Sequence, residues 1–330
     1  MRISKEEHYA IDSLRFVCMI FLVLLHTQVG HLVPGRDAIA DDMATIENLS
    51  KIPFLQFLFI LSGYLFFVGL SLDGDKQMLT EGYKNKLTRR FWSLLIPYLI
   101  WCSTAILYNH FIKGTPWPHG SQWITWYWDA GEGHPIGKAM WYIKSLIIFS
   151  LLAPLYFITV RFFRHFTLVV VMFLFTFNAP VDFPYFNVDL LLGSYLCLCE
   201  VPLKKVADSL NWKMCLVAYV ILKIAFCCLS VPVGGGILVL TGFVGLYGLF
   251  SQYRIPAFLT ATSSFVYFAH PYFTGIRNIL VTSSVSGSIV LLCLAWLVTF
   301  FLDFSICITL YYLLRKFVPR ILGIVTGGRG

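Results

Sequence analysis

Charge is scarce in this chain: Asp, Glu, Lys and Arg make up 13% of its 330 residues, about half the 25% or so usual in a soluble domain. With so few charged groups, a water-facing surface for a chain of this length is excluded, and lipid must solvate most of it. Cysteine offers no framework either. Nine are present, placed singly or as the neighbours Cys197/Cys199 and Cys227/Cys228, with neither zinc-ligand spacing nor a disulfide pattern. They lie in apolar segments, where free cysteine behaves as a small hydrophobe. The sequence also shows no linker, internal repeat or appended polar domain, so residues 1–330 read as one transmembrane domain.

What is abundant is apolar: 58% of residues are hydrophobic and 17% aromatic, with a mean hydropathy of +0.75. Runs of about twenty residues recur, such as Ile11 to Leu32, Ile52 to Leu72 and Ile289 to Leu314. Each is long enough to cross ~30 Å of hydrocarbon at 1.5 Å per residue. Polar breaks divide the chain into ten spans, near 11–32, 52–72, 91–112, 139–160, 166–179, 187–203, 214–230, 235–251, 257–280 and 287–314. The expectation is an all-α, polytopic integral membrane protein of about ten helices. The span at 166–179 is short and reads as tilted or re-entrant. The first span carries Asp12, Arg15 and His26 and lacks a small-residue cleavage site, so it reads as a retained helix and not as a signal peptide.

Sidedness follows from the basic residues, which stay on the cytoplasmic side of a membrane. With the N-terminus inside, the inner segments hold Arg2, Lys5, Lys76, Lys84, Lys86, Arg89, Arg90, Arg161, Arg164, Lys204, Lys205, Lys213, Arg254, Arg315, Lys316, Arg320 and Arg329. The outer loops hold four: Arg36, Lys51, Lys113 and Lys138. Both termini are therefore expected in the cytoplasm. The net charge of +8 then faces cytoplasm and anionic lipid, and no nucleic-acid partner is needed to explain it.

Two outer loops are longer than a connection requires. Residues 33–51 carry Asp37, Asp41, Asp42 and Glu47, and residues 113–138 carry Trp117, Trp123, Trp126, Tyr127 and Trp128. These aromatics read either as an interfacial belt or as a stacking floor for a sugar.

Ionisable groups inside membrane helices are functional candidates. They are Asp12, Arg15, His26, Lys144, Lys223, His270, Arg277 and Asp303. Arg15 and His26 are eleven positions apart, which on a helix is about 16 Å of rise and about three turns, so both lie on nearly one face. A cation near the inner surface and an imidazole far along the same face suit coenzyme A, whose phosphates and thioester lie at opposite ends of a slender arm. Arg15, with Lys86, Arg89 and Arg90, can hold the phosphates by charge-assisted hydrogen bonds. His26 can accept a proton from an attacking hydroxyl. The plainer readings are a snorkelling Arg15, an interhelical hydrogen bond at His26, helix packing at Ser62 and Gly63, and a structural pair between Arg277 and Asp303. Lys144 and His270 either line a cavity or bond to a neighbouring helix, and Lys223 either joins the site or snorkels.

The segment Ile11-Asp12-Ser13-Leu14-Arg15-Phe16 followed by His26 resembles the opening of the acyltransferase 3 family, where Arg, ten residues, then His marks the first membrane helix. Other stretches resemble that family in the same order. Phe57-Leu58-Phe59-Ile60-Leu61-Ser62-Gly63-Tyr64 is similar to its second-helix Ser-Gly-aromatic segment, and Arg89-Arg90-Phe91-Trp92-Ser93-Leu94-Leu95-Ile96-Pro97-Tyr98 to the basic start of its third helix. Met140-Trp141-Tyr142-Ile143-Lys144 is similar to its Leu-Trp-Phe-like segment, and Tyr267-Phe268-Ala269-His270-Pro271 to its late aromatic-His element. The chain departs from the family's Arg-x-x-Arg before the third-helix proline, because the second position is Ser93; Lys86 or Arg89 would supply that charge.

The resemblance implies an O-acyltransferase that moves an acyl group, acetyl first among them, from cytoplasmic acyl-CoA to a hydroxyl of an envelope or surface glycan. The expected setting is the bacterial cytoplasmic (inner) membrane. His26 would be the base or a transient acyl carrier, with Arg15, Lys86, Arg89 and Arg90 on the donor. Asp12, Ser62, Tyr64, Trp141, Lys144 and His270 would line the cavity. Acyl-CoA is expected as a co-substrate with no bound cofactor or metal, and the partners as a glycan or lipid-linked sugar and membrane lipid, in a monomer or a homo-oligomer. The rival reading is a transporter or flippase for a lipid-linked sugar, since polar groups in a membrane cavity serve translocation equally well.

Overall fold

The computed structural model describes residues 3–33, 38–131, 133–176, 187–229, 235–281, 285 and 287–328. Arg2, Arg36, Asp37 and Arg329, and residues 177–179 of the fifth expected span, lie outside the described residues, as do the side chains of Lys76, Cys227 and Cys228.

The first helix, α1 (Lys5–His26), starts at a capping box: Ser4 Oγ accepts the Glu7 N–H at 3.1 Å, and the Ser4 N–H donates to Glu7 Oε2 at 3.3 Å. Both are amides that a helix start would otherwise leave open. The helix ends at His26, although the expected span continues to Leu32; the chain turns at Thr27 and makes one 3₁₀ turn over Gly30–Leu32. A polar helix, α2 (Ala38–Ser50), lies against that turn, followed by α3 (Phe54–Phe67) and the charged α4 (Lys76–Arg90). A single π turn, Phe91–Leu95, joins α4 to α5 (Ile96–Phe111). Next come α6 (Gln122–Trp128), α7 (Trp141–Phe163), α8 (His165–Thr176) and α9 (Val188–Leu198). The remainder is α10 (Leu203–Ser209), α11 (Trp212–Leu229), α12 (Gly235–Gln252), α13 (Ala257–Thr260), α14 (Ser263–Ala269), α15 (Ile276–Leu280), α16 (Ile289–Phe317) and α17 (Pro319–Thr326). Among the described residues there is no strand, only one isolated bridge between Gly131 and His134.

Among the described residues, six helical segments are long and apolar enough to cross a membrane: Lys5–Leu32, Ala38–Phe67, Gln77–Phe111, Lys138–Phe163, Gly235–Gln252 and Ile289–Phe317. A seventh forms if Leu203–Ser209 and Trp212–Phe226, bent by 76°, count as one span. His165–Leu174 and Val188–Leu198 are apolar but shorter. The expected ninth span, 257–280, is broken into α13, α14, a 3₁₀ turn at His270–Tyr272 and α15. Pro271 explains the end of α14, because it lacks an N–H and its ring clashes with the carbonyl four residues back.

Small residues bring α3 and α9 into backbone contact: a Cβ added at Gly63 would collide with the Leu190 carbonyl, and one at Gly193 with the Ile60 carbonyl. This is the close approach expected between helices in lipid, where van der Waals contact replaces the hydrophobic effect. In α7, Pro154 cannot donate to Ser150, and the Tyr83 hydroxyl takes over that carbonyl at 3.0 Å. Exposed apolar stripes run down α7 (Leu151, Leu155, Ile158, Phe162) and α16 (Val290, Leu294, Leu297, Phe301). Such continuous apolar exposure marks lipid-facing surface.

Segments assigned by charge to one side of the membrane meet one another. Glu6 faces Lys204 at 3.7 Å and Arg254 at 3.8 Å, and Arg164 faces Asp73 at 3.7 Å, all on the basic-rich face. On the basic-poor face, Glu47 meets the turn after α1, and Lys144 meets the loop after α6.

Candidate active site

The end of α1 is the best-anchored backbone in the site. A helix leaves its last carbonyls without partners, and here the capping Thr27 and two side chains from distant segments, Trp296 and Arg277, bond to carbonyls at this end. Thr27 Oγ1 donates to the Val23 carbonyl at 3.0 Å, Trp296 Nε1 to that of Leu24 at 3.1 Å, and Arg277 Nη1 to those of His26 at 2.6 Å and Gln28 at 3.2 Å. A guanidinium also suits the negative end of the helix dipole. Just beyond, buried Glu47 accepts the N–H groups of Val29 at 2.8 Å and Gly30 at 2.9 Å. Arg277 is thus joined to α1, and among the described residues it makes no pair with Asp303, whose Oδ1 accepts the Cys307 thiol at 3.6 Å. The buried pair expected between α16 and the ninth span is absent because the guanidinium sits at the level of the α1 terminus.

Behind His26 lies His270, fully buried, with ring centroids 5.1 Å apart. The His270 Nδ1 is 2.9 Å from the Tyr267 carbonyl and 3.1 Å from that of Val266. Carbonyl oxygens only accept, so Nδ1 carries the proton. The Tyr267 carbonyl is the one that Pro271, four residues on, cannot serve, which gives the His-Pro pair a physical reason. The His270 Nε2 is buried and has no hydrogen-bond partner among the described residues.

His26 lines a cavity of about 560 Å³ that opens on the basic-poor face. Its walls include Tyr108, Asn109, Lys113, His134, Lys138 and Tyr272. The loop tryptophans are not among them: Trp117 stacks on His110 at 4.0 Å and on Trp123 at 6.1 Å, and Trp128 lies under the Lys144 ammonium at 5.2 Å. Aromatic walls come instead from Tyr108 and Tyr272, edge to face at 5.2 Å.

Arg15 lines a second, smaller cavity of about 80 Å³, with Arg90, Ser62, Tyr142, Ser263 and Tyr267 among its walls. Its hydroxyls are linked, Ser62 Oγ and Tyr142 Oη being 3.1 Å apart. Asp12 pairs with Arg15 at 3.6 Å from the preceding turn of α1. The two cavities do not form one open groove along α1. Phe268 lines both and divides them, its ring stacked on Trp101 at 5.6 Å with an interplanar angle of 3°. Tyr267 completes the partition by donating to the Ala139 carbonyl. A third cavity, about 690 Å³, lies between the loop after α3 and mid-α7 and contains none of these residues.

Of the basic cluster, Arg90 joins Arg15 in the small cavity, Lys86 donates to the Val68 carbonyl at 2.7 Å and so caps α3, and Arg89 is exposed. The π turn follows Arg90 directly; such turns frequently accompany functional sites. Ser62 faces the small cavity while its neighbour Gly63 makes the α3–α9 contact, so the segment serves both readings. Tyr64 donates to Glu7 at 3.4 Å, and Trp141 packs against Phe59 at 6.1 Å. Lys144 donates to the carbonyls of Gly133 at 2.7 Å and Trp128 at 3.0 Å, holding the loop and not lining either cavity. Lys223 lines neither cavity. The backbone clamp of Glu47, Arg277 and Trp296 was not assigned from sequence; the only signal for it was the presence of two charges, Arg277 and Glu47, where charge is rare. Among the described residues no group of three or more His, Cys, Asp or Glu is placed to hold a metal ion.

The described residues thus form an all-helical membrane domain in which an arginine-lined cavity and an imidazole-lined cavity share an aromatic wall. The family model for the acyltransferase domain of the acyltransferase 3 family matches residues 8–321, and the chain belongs to that family. No curated protein and no solved structure matches it.

Proposed function

We propose that this membrane acyltransferase takes an acyl group, acetyl first among them, from acyl-CoA at the basic-rich face and delivers it to a hydroxyl of an envelope or surface glycan in the cavity lined by His26. The basic-rich face would be cytoplasmic, with both termini there, in a bacterial cytoplasmic membrane. The asymmetry of the basic residues supports this orientation.

The single observation that carries the reading is Phe268, the common wall between the cavity of Arg15 and Arg90 and the cavity of His26. Two guanidiniums beside three serine hydroxyls suit a phosphate or the amides of pantetheine. At about 80 Å³ against about 560 Å³ for the His26 cavity, this cavity is the narrower of the two, so the nucleotide would stay at the membrane surface while the arm passes Phe268. His26 would take the proton from the acceptor hydroxyl as its oxygen attacks the thioester carbonyl. The C–S bond breaks, the acyl group ends on the glycan oxygen, and the thiolate of coenzyme A recovers the proton. Arg277 and His270 would hold the His26 backbone and ring in place for this step.

The test replaces His26 by Ala and follows glycan acylation and glycan export together. Lost acylation with normal export is the expected result. Lost export of an unmodified glycan would favour a transporter instead.

A further inference from the structure

The last helix, α17, turns back against the membrane domain after the single residue Val318, with Leu322 and Thr326 buried while Ile321 and Ile324 stay exposed. It packs on α5 and α14, the two helices that carry Trp101 and Phe268. Glycines close its end. Gly327 stands at φ +67°, in the left-handed region that glycine adopts without strain, and the Gly328 N–H returns to the Gly323 carbonyl at 2.7 Å. The Val325 carbonyl is taken by a side chain from far along the chain, Trp101 Nε1, at 2.9 Å.

Trp101 thereby has three attachments. Its face lies on the Phe268 ring, 5.6 Å away and 3° from parallel, its backbone carbonyl accepts the Tyr272 hydroxyl at 3.1 Å, and its N–H edge is held by α17. Stacking alone leaves two parallel rings free to slide over one another. A hydrogen bond at the indole edge removes that freedom, so α17 fixes where the Trp101 plane lies and with it the seat of Phe268. Beyond the helix end, Gly327 lies against the π turn that follows Arg90, where an added Cβ would collide with the Ser93 carbonyl. One short helix thus touches both the support of the partition and the backbone beside the Arg15 cavity.

We propose that α17 holds the partition between the two cavities closed, and that it does so through Trp101, a positioning residue for acyl transfer. This deepens the acyltransferase reading above and rests on it for what the partition separates.

The test places 4-fluorophenylalanine at position 268 of the full-length protein in nanodiscs and reads its fluorine resonance without acyl-CoA; thiol release from acyl-CoA is measured alongside, with and without glycan. Trp101→Phe removes the indole N–H but also changes the ring against the label, so the deciding variants are remote: Gly327→Val, and a chain ended after Arg320. Each is first checked for a monodisperse profile, and Gly327→Ala is the milder substitute where Gly327→Val does not extract. The expected result is a shifted or split resonance in the remote variants. Acyl-CoA hydrolysis without glycan should rise about fivefold, the effect of losing one neutral hydrogen bond, with the KM for acyl-CoA unchanged. In a Phe268→Ala background the same variants should change hydrolysis no further, because they act through that ring. A helix that only packs would lower extraction yield and leave hydrolysis low. An unmoved resonance in well-folded remote variants, or hydrolysis effects that add fully to that of Phe268→Ala, overturns the proposal. A moved resonance with no thiol release by any form of the protein would overturn the catalytic reading alone. Normal glycan acylation with an unmoved resonance would overturn this inference alone.

Discussion

At the scale of single residues, His26 is held twice, its carbonyl by Arg277 at 2.6 Å and its ring against His270 at 5.1 Å. Removing the imidazole removes the proposed proton acceptor. His26→Ala is therefore expected to lower acyl transfer by about 10²–10⁴-fold while the purified protein keeps its helical content by circular dichroism. Arg277 acts at one remove. Arg277→Ala leaves two carbonyls at the α1 terminus without their donor, a local loss of about 1.5–3 kcal/mol for a charged hydrogen bond. Its expected signature is a fall in kcat with little change in the KM for acyl-CoA, partly rescued by Arg277→Lys, because one ammonium can reach both carbonyls. A rise confined to the donor KM would place Arg277 in the donor site instead. Arg15→Ala should do the opposite and raise the donor KM most, since Arg15 lines the small cavity on the other side of Phe268.

At the scale of helices, the α3–α9 contact depends on the absence of two side chains. Gly193→Val would drive a branched side chain into the Ile60 carbonyl, in a contact made of backbone that cannot yield. The expected outcome is a sharp fall in the monodisperse fraction after detergent extraction, with Gly193→Ala intermediate. The sequence carried much of this level: the long apolar runs and the Arg15 to His26 register were readable because hydropathy and helical period act locally. The helix ends were not. Residues 27–32, Thr-Gln-Val-Gly-His-Leu, carry no Asp, Glu, Lys or Arg, so a hydropathy window carries α1 past its real end; Glu47, eighteen positions after Val29, captures the amides of the turn. The break in 257–280 was signalled by Pro271, but the partner for the carbonyl it frees, the preceding His270, required the folded geometry. The separation of Arg90 from Lys86 and Arg89 was equally invisible, because three basic residues within five positions of a charged helix do not reveal which one faces the cavity.

At the scale of the whole molecule, charge and cavities give the two faces of the protein different chemistry. Reporter fusions after Gly330 and within residues 113–138 should place the former in the cytoplasm and the latter outside, as the basic-residue asymmetry requires. Between those faces the small and large cavities meet at Phe268, whose ring is clamped by its stack on Trp101. On the proposed route, a thioester reaching His26 from the Arg15 side would have to displace this ring or pass beside it, and the partition would then control both delivery of acyl groups and leakage of water. Phe268→Ala would merge the cavities. Its expected effect is a higher rate of acyl-CoA hydrolysis in the absence of glycan, as water meets the thioester, with a lower yield of acylated glycan per thioester consumed. Phe268→Trp enlarges the same wall and should slow transfer without raising hydrolysis. Release of free coenzyme A thiol, measured with and without acceptor, separates the two behaviours. If Phe268→Ala changed neither rate, the arm would have to reach His26 by another route, and the shared wall would be a packing residue alone.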